Sequence, residues 1–486
     1  MNIAFQLELR PPIFTVYGPV DYMDFRSQLE QIDNLLTKSH IEDSLILKLI
    51  DPEKAKPNKI QFLYTAIRCQ ILLHLTNMSF RELAFRLPDS ELFRWFINVN
   101  TLTGAKTPSK STLQRMEHIC APLNLSEMIH DLNRNVSDSK QSQKLLHVDT
   151  PIIIKDLFAD STCIKANIHY PVDWLLFRDA EKTLLGSIKL IRKQGLMHRM
   201  PDPQVVIKQV NQLSIEMAMS NRKRKGKKER KRIFREMKRH LKTTSKHAKR
   251  YYDLLKEKWS FTEWSEKQAQ QVLDRMANVI KQIPSIIEVA HARIISEKKV
   301  ANEDKILSLY EKNVHVIKRG KMNAEVEFGN GFYLAEQSNG IIVDWEFFKE
   351  HPKADTIVLP ESIKRVKENY RIESYASDRG FNSLKNDKFL ESEQLFNATC
   401  PRIPEDLTIK MKDDKFREAQ KRRAQTEGRI GIFKNKFIGE KILRKGFENK
   451  ETKILWSIFT HNLWVIARIA RGNYIRKKES EEKKAA

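Results

Sequence analysis

Three acidic residues stand out by their context. Asp160 lies at the end of a β-rich run, in Phe158-Ala-Asp-Ser-Thr162. Asp378 ends another and is followed by Arg379-Gly380-Phe381, where the glycine permits a tight turn. Glu427 sits in Arg423-Ala-Gln-Thr-Glu427-Gly-Arg429, within a long amphipathic stretch. Acids at strand ends and on a facing helix suit Mg²⁺ or Mn²⁺. Mg²⁺ takes oxygen ligands, accepts few protein groups and leaves its other positions to water and substrate phosphate. Two such ions about 3.5–4 Å apart can activate an attacking hydroxyl and stabilise the leaving oxygen of a phosphodiester. Arg423 and Glu427 are i and i+4, and Lys434 is i+7 from Glu427, so all three can share one helix face. A carboxylate on the metals, flanked by cations on the substrate phosphates, is a workable division of labour. Each acid also has a plainer reading. Asp160 could be a strand-end turn residue, with Asp149 and Asp156 as rivals. Asp378 could be an ordinary turn residue, with Asp344 as its rival, and Glu427 a surface partner of Arg423.

The charge balance points to the same class of substrate. The 486 residues include 87 Lys and Arg against 62 Asp and Glu, a net charge of +25. Such a field attracts polyanions, with DNA or RNA foremost. Residues 221–250 hold 16 Lys/Arg and two acids, so +14 of that charge lies in 30 residues. A merely solvated helix face would mix its charges, and we read this run, which includes Arg222, Lys223, Arg224 and Lys225, as a phosphate-binding segment. Further candidate DNA contacts are Lys318, Arg319 and Lys321, just before a predicted hairpin, and Lys110 and Arg115 on a predicted short helix. A solvated turn and a plain helical bundle are the competing readings of these two groups.

The four cysteines are far apart and form no CxxC pair, which excludes a zinc ribbon or disulfide framework and fits a reducing cytoplasm. Glu8, Arg10 and Pro11-Pro12 break any signal-peptide core. The most apolar late stretch, Ile454 to Ala470, carries His461, Asn462 and Arg468 and reads as a buried helix rather than a membrane span.

The elements that must position the acids follow from periodicity. Residues 1–58 form a partly helical N-terminal segment. Residues 59–140 are expected as a helical DNA-binding domain, with an apolar stripe at Ile60, Leu63, Ile67, Ile71 and Leu75 and a helix opening at Ser111 through a capping box to Gln114. Residues 145–173 and 300–472 make a compact α/β unit with a mixed sheet. It holds a hairpin turn at Ser338-Asn-Gly340 and a long helix at about 413–436. Residues 174–299 read as a basic helical insertion after the first strand, and 473–486 as a charged tail.

Taken together, these motifs resemble a known family. Arg423, Glu427 and Lys434 meet an Arg-x3-Glu-x6-Lys pattern similar to the Y-R-E-K signature of insertion-sequence DDE transposases. Asp160-Ser-Thr162, with Asn167 and Tyr170-Pro171, resembles the family's first catalytic strand. Ser377-Asp378-Arg-Gly-Phe381 resembles its second acidic motif, and GNGFYLAEQSNGIIVDWEF the hairpin between them. The likeness covers roughly 60–135 and 145–470. One position departs: the signature tyrosine falls on Gln420. The resemblance implies an RNase H-like catalytic core with Asp160, Asp378 and Glu427 as metal ligands for two Mg²⁺ (or Mn²⁺) ions. It also implies terminal inverted repeats and target DNA as partners, a homo-oligomeric synaptic complex, and a prokaryotic cytoplasmic, nucleoid-associated enzyme. An RNase H-like nuclease or resolvase without strand transfer would need the same acids. A domesticated, non-catalytic DNA-binding protein would not need to retain them.

Overall fold

The computed structural model describes residues 16–51, 54–101, 104–170, 172–220, 226–321 and 324–485. Arg222, Lys223, Arg224 and Lys225 lie outside the described residues, as do the side chains of Arg319 and Lys321. The chain is mixed α/β and mostly helical, and it divides into two compact units, Met1–Lys165 with Asn330–Ala486, and Ala166–Gly329. Among the described residues no helix is long and apolar enough to cross a membrane.

The unit Ala166–Gly329 is built on four helices, Asp173–Lys193, Pro203–Ser220, Gly226–Lys258 and Glu266–Ile294. Leu176, Phe177, Ala180, Leu184, Ile188 and Ile191 recur at three- and four-residue spacing and turn one stripe inward. Ile233, Phe234, Met237, Leu241, Ala248, Tyr251 and Leu255 of the Gly226–Lys258 helix belong to the same core. Ser265 opens the last helix with a capping box closed by Gln268. The described residues between Asp173 and Ile294 include no strand. The unit extends beyond the expected 174–299 because Val316 and Phe328 pack on Ala166, Leu307 and Val314.

Among the described residues, eight strands occur in chain order. β1 (Asn100–Thr101) and β2 (Gly104–Ala105) form a minimal antiparallel pair. β3 is Asp156–Lys165, β4 His315–Lys321, β5 Ala324–Glu336, β6 Ile342–Phe347, β7 Ser374–Ser377 and β8 Phe396–Thr399. β4 pairs with the first half of β5 in the Ala166–Gly329 unit. In the larger unit the order is β6-β5-β3-β7-β8. β5 and β6 run antiparallel, whereas β3, β7 and β8 run parallel. Of the β-rich zone at 145–170, only Asp156–Lys165 forms a strand.

The two faces of this sheet are covered differently. Alternation sends Leu157, Ala159 and Tyr375 to one face, where they join Val358, Leu359 and Ile363 of the Asp355–Lys367 helix. Phe158, Ala376 and Ala398 point to the other, under Phe416 of the Asp414–Ile432 helix.

The N-terminal helices are not a separate domain, contrary to the sequence expectation. One apolar cluster runs from Leu29 through Ile67 to Tyr375 and Trp456. The reason is the final helix, Phe447–Ala485, which packs on Val20–Ser39, Pro57–Thr76 and Pro122–Ser137. Its Asn462 donates to Asn133 Oδ1 (3.1 Å) and to Ile342 O (2.8 Å), and accepts from Ile342 N (2.9 Å). A buried amide thereby satisfies the backbone of the outer strand β6 while fixing a helix to it. A second difference is small. The short helix is Lys110–Met116, capped by Ser109, whose side chain accepts from Thr112 N, rather than by Ser111.

Candidate active site

The register of β3 and β7 places the first two acids. Asp156 faces Ser374, Leu157 faces Tyr375 and Phe158 faces Ala376. Two residues further along are Asp160 on β3 and Asp378, one residue past the end of β7. The ladder ends at Phe158 and Ala376, and the same register carried two residues further would set Asp160 opposite Asp378. By alternation both project to the face of Phe158 and Ala376. Asp378 caps the turn that follows it, accepting from Gly380 N at 2.8 Å. Asp160 Oδ1 accepts from Ser161 N at 2.7 Å.

The Asp414–Ile432 helix lies over this same face. Gln420, at the position of the signature tyrosine, donates from Nε2 to Ser377 O (3.2 Å) and to Ala398 O, and its Oε1 accepts from Arg423 Nε at 3.0 Å. A glutamine can do this because it carries donors and an acceptor on one short arm. Arg422 holds the next turn. It donates to Glu336 Oε1 (2.9 Å), Gln337 O (3.0 Å) and Ser338 O (2.9 Å), and its guanidinium sits 4.5 Å from the Phe158 ring centroid. Thr426 adds a 2.9 Å hydrogen bond to the same Glu336 oxygen. Burial pushes the Glu336 carboxyl up from the usual range, against the pull of Arg422. The helix then passes into a π-helical turn, Phe433–Ile438. Lys434 in that turn donates to Cys163 O (2.7 Å) and Thr162 Oγ1 (3.3 Å). Thr162 is on the same face of β3 as Asp160.

Glu427 lies on this helix seven residues from both Gln420 and Lys434, and its side chain is exposed. Asp160 is therefore on β3 and Asp378 just past the neighbouring strand β7, with Glu427 on the helix that covers the face of Phe158 and Ala376. Among the described residues no three His, Cys, Asp or Glu side chains are gathered tightly enough to hold a metal ion. Lys434, expected on DNA, is instead tied to β3, and Arg423 to Gln420. Arg379 is exposed, and its carbonyl accepts from Arg402 Nε at 3.1 Å. Lys110 and Arg115 are exposed on their short helix, and Lys318 is exposed on β4.

The rival acids have other duties. Asp344 is buried and receives Arg365 through two hydrogen bonds of 2.9 and 2.8 Å. Asp156 accepts from Ser374 Oγ at 2.6 Å at the opposite end of β3 from Lys165. Asp149 is exposed and precedes the strand.

Sequence reading missed Asp355. Its Oδ1 accepts from Ser161 Oγ at 2.7 Å. A Cβ placed on Gly380 would meet Asp355 Oδ2 at 2.7 Å and Asp378 Oδ1 at 3.0 Å. Both carboxylates therefore flank Gly380, and a side chain there would push between them. In the sequence Asp355 was only an acid in the first turn of a helix, where acids are common for dipole reasons. Arg422 was equally hidden, as one cation in the run Lys421-Arg-Arg423. Compared with known proteins, the chain matches no family model, no curated protein and no solved structure.

Proposed function

We propose that this chain is a DDE-type DNA transposase with an RNase H-like catalytic core. The observation that carries the proposal is the placement of Asp160 on β3 and of Asp378 immediately past the adjacent parallel strand β7, with the helix that bears Glu427 over the same sheet face. The strand order β6-β5-β3-β7-β8, with β3 central, supports the same core. An all-oxygen donor set suits Mg²⁺ or Mn²⁺, so Asp160 and Asp378 would hold the ions, with Glu427 as the third carboxylate. Such ions, when bound, supply activation of the attacking hydroxyl and stabilisation of the leaving oxygen.

The protein's own contribution is orientation. Ser161 and Asp355 brace β3 against the turn after β7. Gln420 and Arg422 fix the helix over the strand ends, and Lys434 fixes its far end. Arg379 follows Asp378 in the chain and Arg423 is one helical turn from Glu427, so these two would bind the scissile strand's phosphates. In the other unit, Arg235, Arg239, Lys242, Lys246 and Lys249 repeat at four- and three-residue spacing along one exposed face. No acid occurs between Glu236 and Asp253. That ridge suits a duplex backbone, which binds through phosphate neutralisation rather than base contacts. Two DNA ends must meet in transposition, so a homo-oligomeric complex belongs to the proposal.

The test is Mg²⁺-dependent cleavage and joining on DNA that flanks the native gene. Wild-type protein should nick at the element ends and transfer the 3′-hydroxyl. Asp160→Ala, Asp378→Ala and Glu427→Ala should each abolish cleavage with DNA binding retained. Cleavage without joining would leave a nuclease. Full activity in all three variants would end the DDE reading.

A further inference from the structure

Beside the hairpin turn at 338–340, the larger unit holds a cavity of about 360 Å³. Its lining includes Arg429, Arg468 and His461 as well as Ile432, Trp464 and Val465. The volume falls in the lower part of the range for small-molecule sites, about 300–1,000 Å³. Its charge is one-sided. The Arg468 guanidinium lies 4.7 Å from the Trp464 ring centroid, and Lys436 Nζ lies 4.4 Å from the same ring. Neither makes an ion pair among the described residues. The one acid near Arg429 is Glu336, 4.0 Å away and already held by Arg422 at 2.9 Å. Burial lowers the pKa of both Arg429 and Lys436; at Arg429 Glu336 pulls the other way while Arg422 and Arg468 repel, and at Lys436 Arg468 repels. Arg468 and Lys436 have no counter-charge among the described residues, so an anion placed beside them would be held by charge-assisted contacts.

The backbone is shaped for this arrangement. Gly340 has φ +92°, and a Cβ there would lie 2.3 Å from Arg429 Nη1. Only glycine lets the guanidinium rest on the turn.

We propose that this cavity binds a nucleoside monophosphate, either free or as a unit of a DNA strand. Its phosphate would lie between Arg429 and Arg468 and its base against Ile432 and Val465. Guanidinium groups match phosphate oxygens through paired, charge-assisted hydrogen bonds. The proposal does not depend on the metal site.

Calorimetric titration of the full-length protein with thymidine monophosphate, thymidine and unphosphorylated hexathymidylate tests it. The monophosphate or the hexanucleotide should bind, and thymidine should not. Arg468→Gln and, separately, Arg429→Gln should weaken binding by about tenfold or more. Arg468 is exposed, so its replacement does not endanger the fold. Competition between the two phosphate probes would identify a strand unit as the natural occupant. Binding of the monophosphate alone would identify a free nucleotide. Asp160→Ala should leave binding unchanged, which separates this site from the metal-site reading. A wild type that binds neither phosphate probe, or binding that both arginine substitutions leave intact, would overturn the proposal.

Discussion

Replacing Arg422 by Met should loosen the helix that carries Glu427. Arg422 is the nearer of the two cations paired with Glu336 among the described residues; Glu336 is 2% exposed at its side chain and Arg422 14%. Removing one partner of a buried pair leaves an uncompensated charge and costs about 3–5 kcal/mol. The lower end applies, because Thr426 still donates to Glu336 and Arg429, now 4.0 Å away, can move in. A cost of about 3 kcal/mol corresponds to roughly a hundredfold change in an opening equilibrium. Hydrogen exchange of the 414–432 amides should speed up by that factor, since exchange reports local opening. The effect should depend on pH. Burial already raises the Glu336 pKa in the folded state, and losing Arg422 would raise it further. A carboxyl with a raised folded pKa costs stability as pH climbs above its unfolded value, about 4.3. The deficit should therefore be largest at neutral pH and shrink towards about pH 4–5. Adding Glu336→Gln should recover part of it, because a neutral amide needs no counter-charge. A loss under about 1 kcal/mol, or a deficit that pH does not change, would refute the reasoning.

Other outcomes follow from the same structure. Glu181 is fully buried, receives only Thr244 Oγ1 at 3.4 Å and leaves Oε1 without a partner, and burial pushes its pKa up to about 8. Its contribution is present below the unfolded value and is lost as pH rises towards about 8, so Glu181→Gln should raise thermal stability at neutral pH and have little effect at about pH 4. Changing Arg235, Arg239, Lys242 and Lys246 together to Gln should weaken binding to any duplex. It should also flatten the log–log salt slope by about 3–4 if all four meet phosphates, and an unaltered slope would place the DNA path elsewhere. Lys434→Met should reduce cleavage more than DNA binding, because Lys434 holds the helix to β3. A loss confined to DNA affinity would return it to a phosphate contact.

Local patterns were legible where one segment set them alone. The stripe Ile60–Leu75, the hairpin turn at Gly340 and the strand before Asp378 all follow from spacing and turn chemistry. The placement of Asp160 on β3 and of Asp378 just past β7 could be expected only from motif order, since register depends on strands far apart in sequence. Asp355 and Arg422 gave no signal, because each acts through a partner supplied by another element. The merging of the N-terminal helices with the sheet was also hidden. It depends on Asn462 and on a final helix that buries several of its sides, and periodicity does not say which neighbour covers which side. Ser111 reads as a cap because its box with Gln114 is complete in sequence, yet Ser109 makes the bond.

We propose that Asp160, Asp378 and Glu427 together hold two divalent ions. Mn²⁺ binding followed by electron paramagnetic resonance, on full-length protein with and without duplex DNA, addresses it directly. The account predicts up to two ions per chain with DNA present, a spin-coupled signal from their closeness, and loss of that signal in Asp160→Asn and in Asp378→Asn. Wild-type protein that takes up no Mn²⁺ with DNA bound, or uptake that both substitutions leave unchanged, would contradict it.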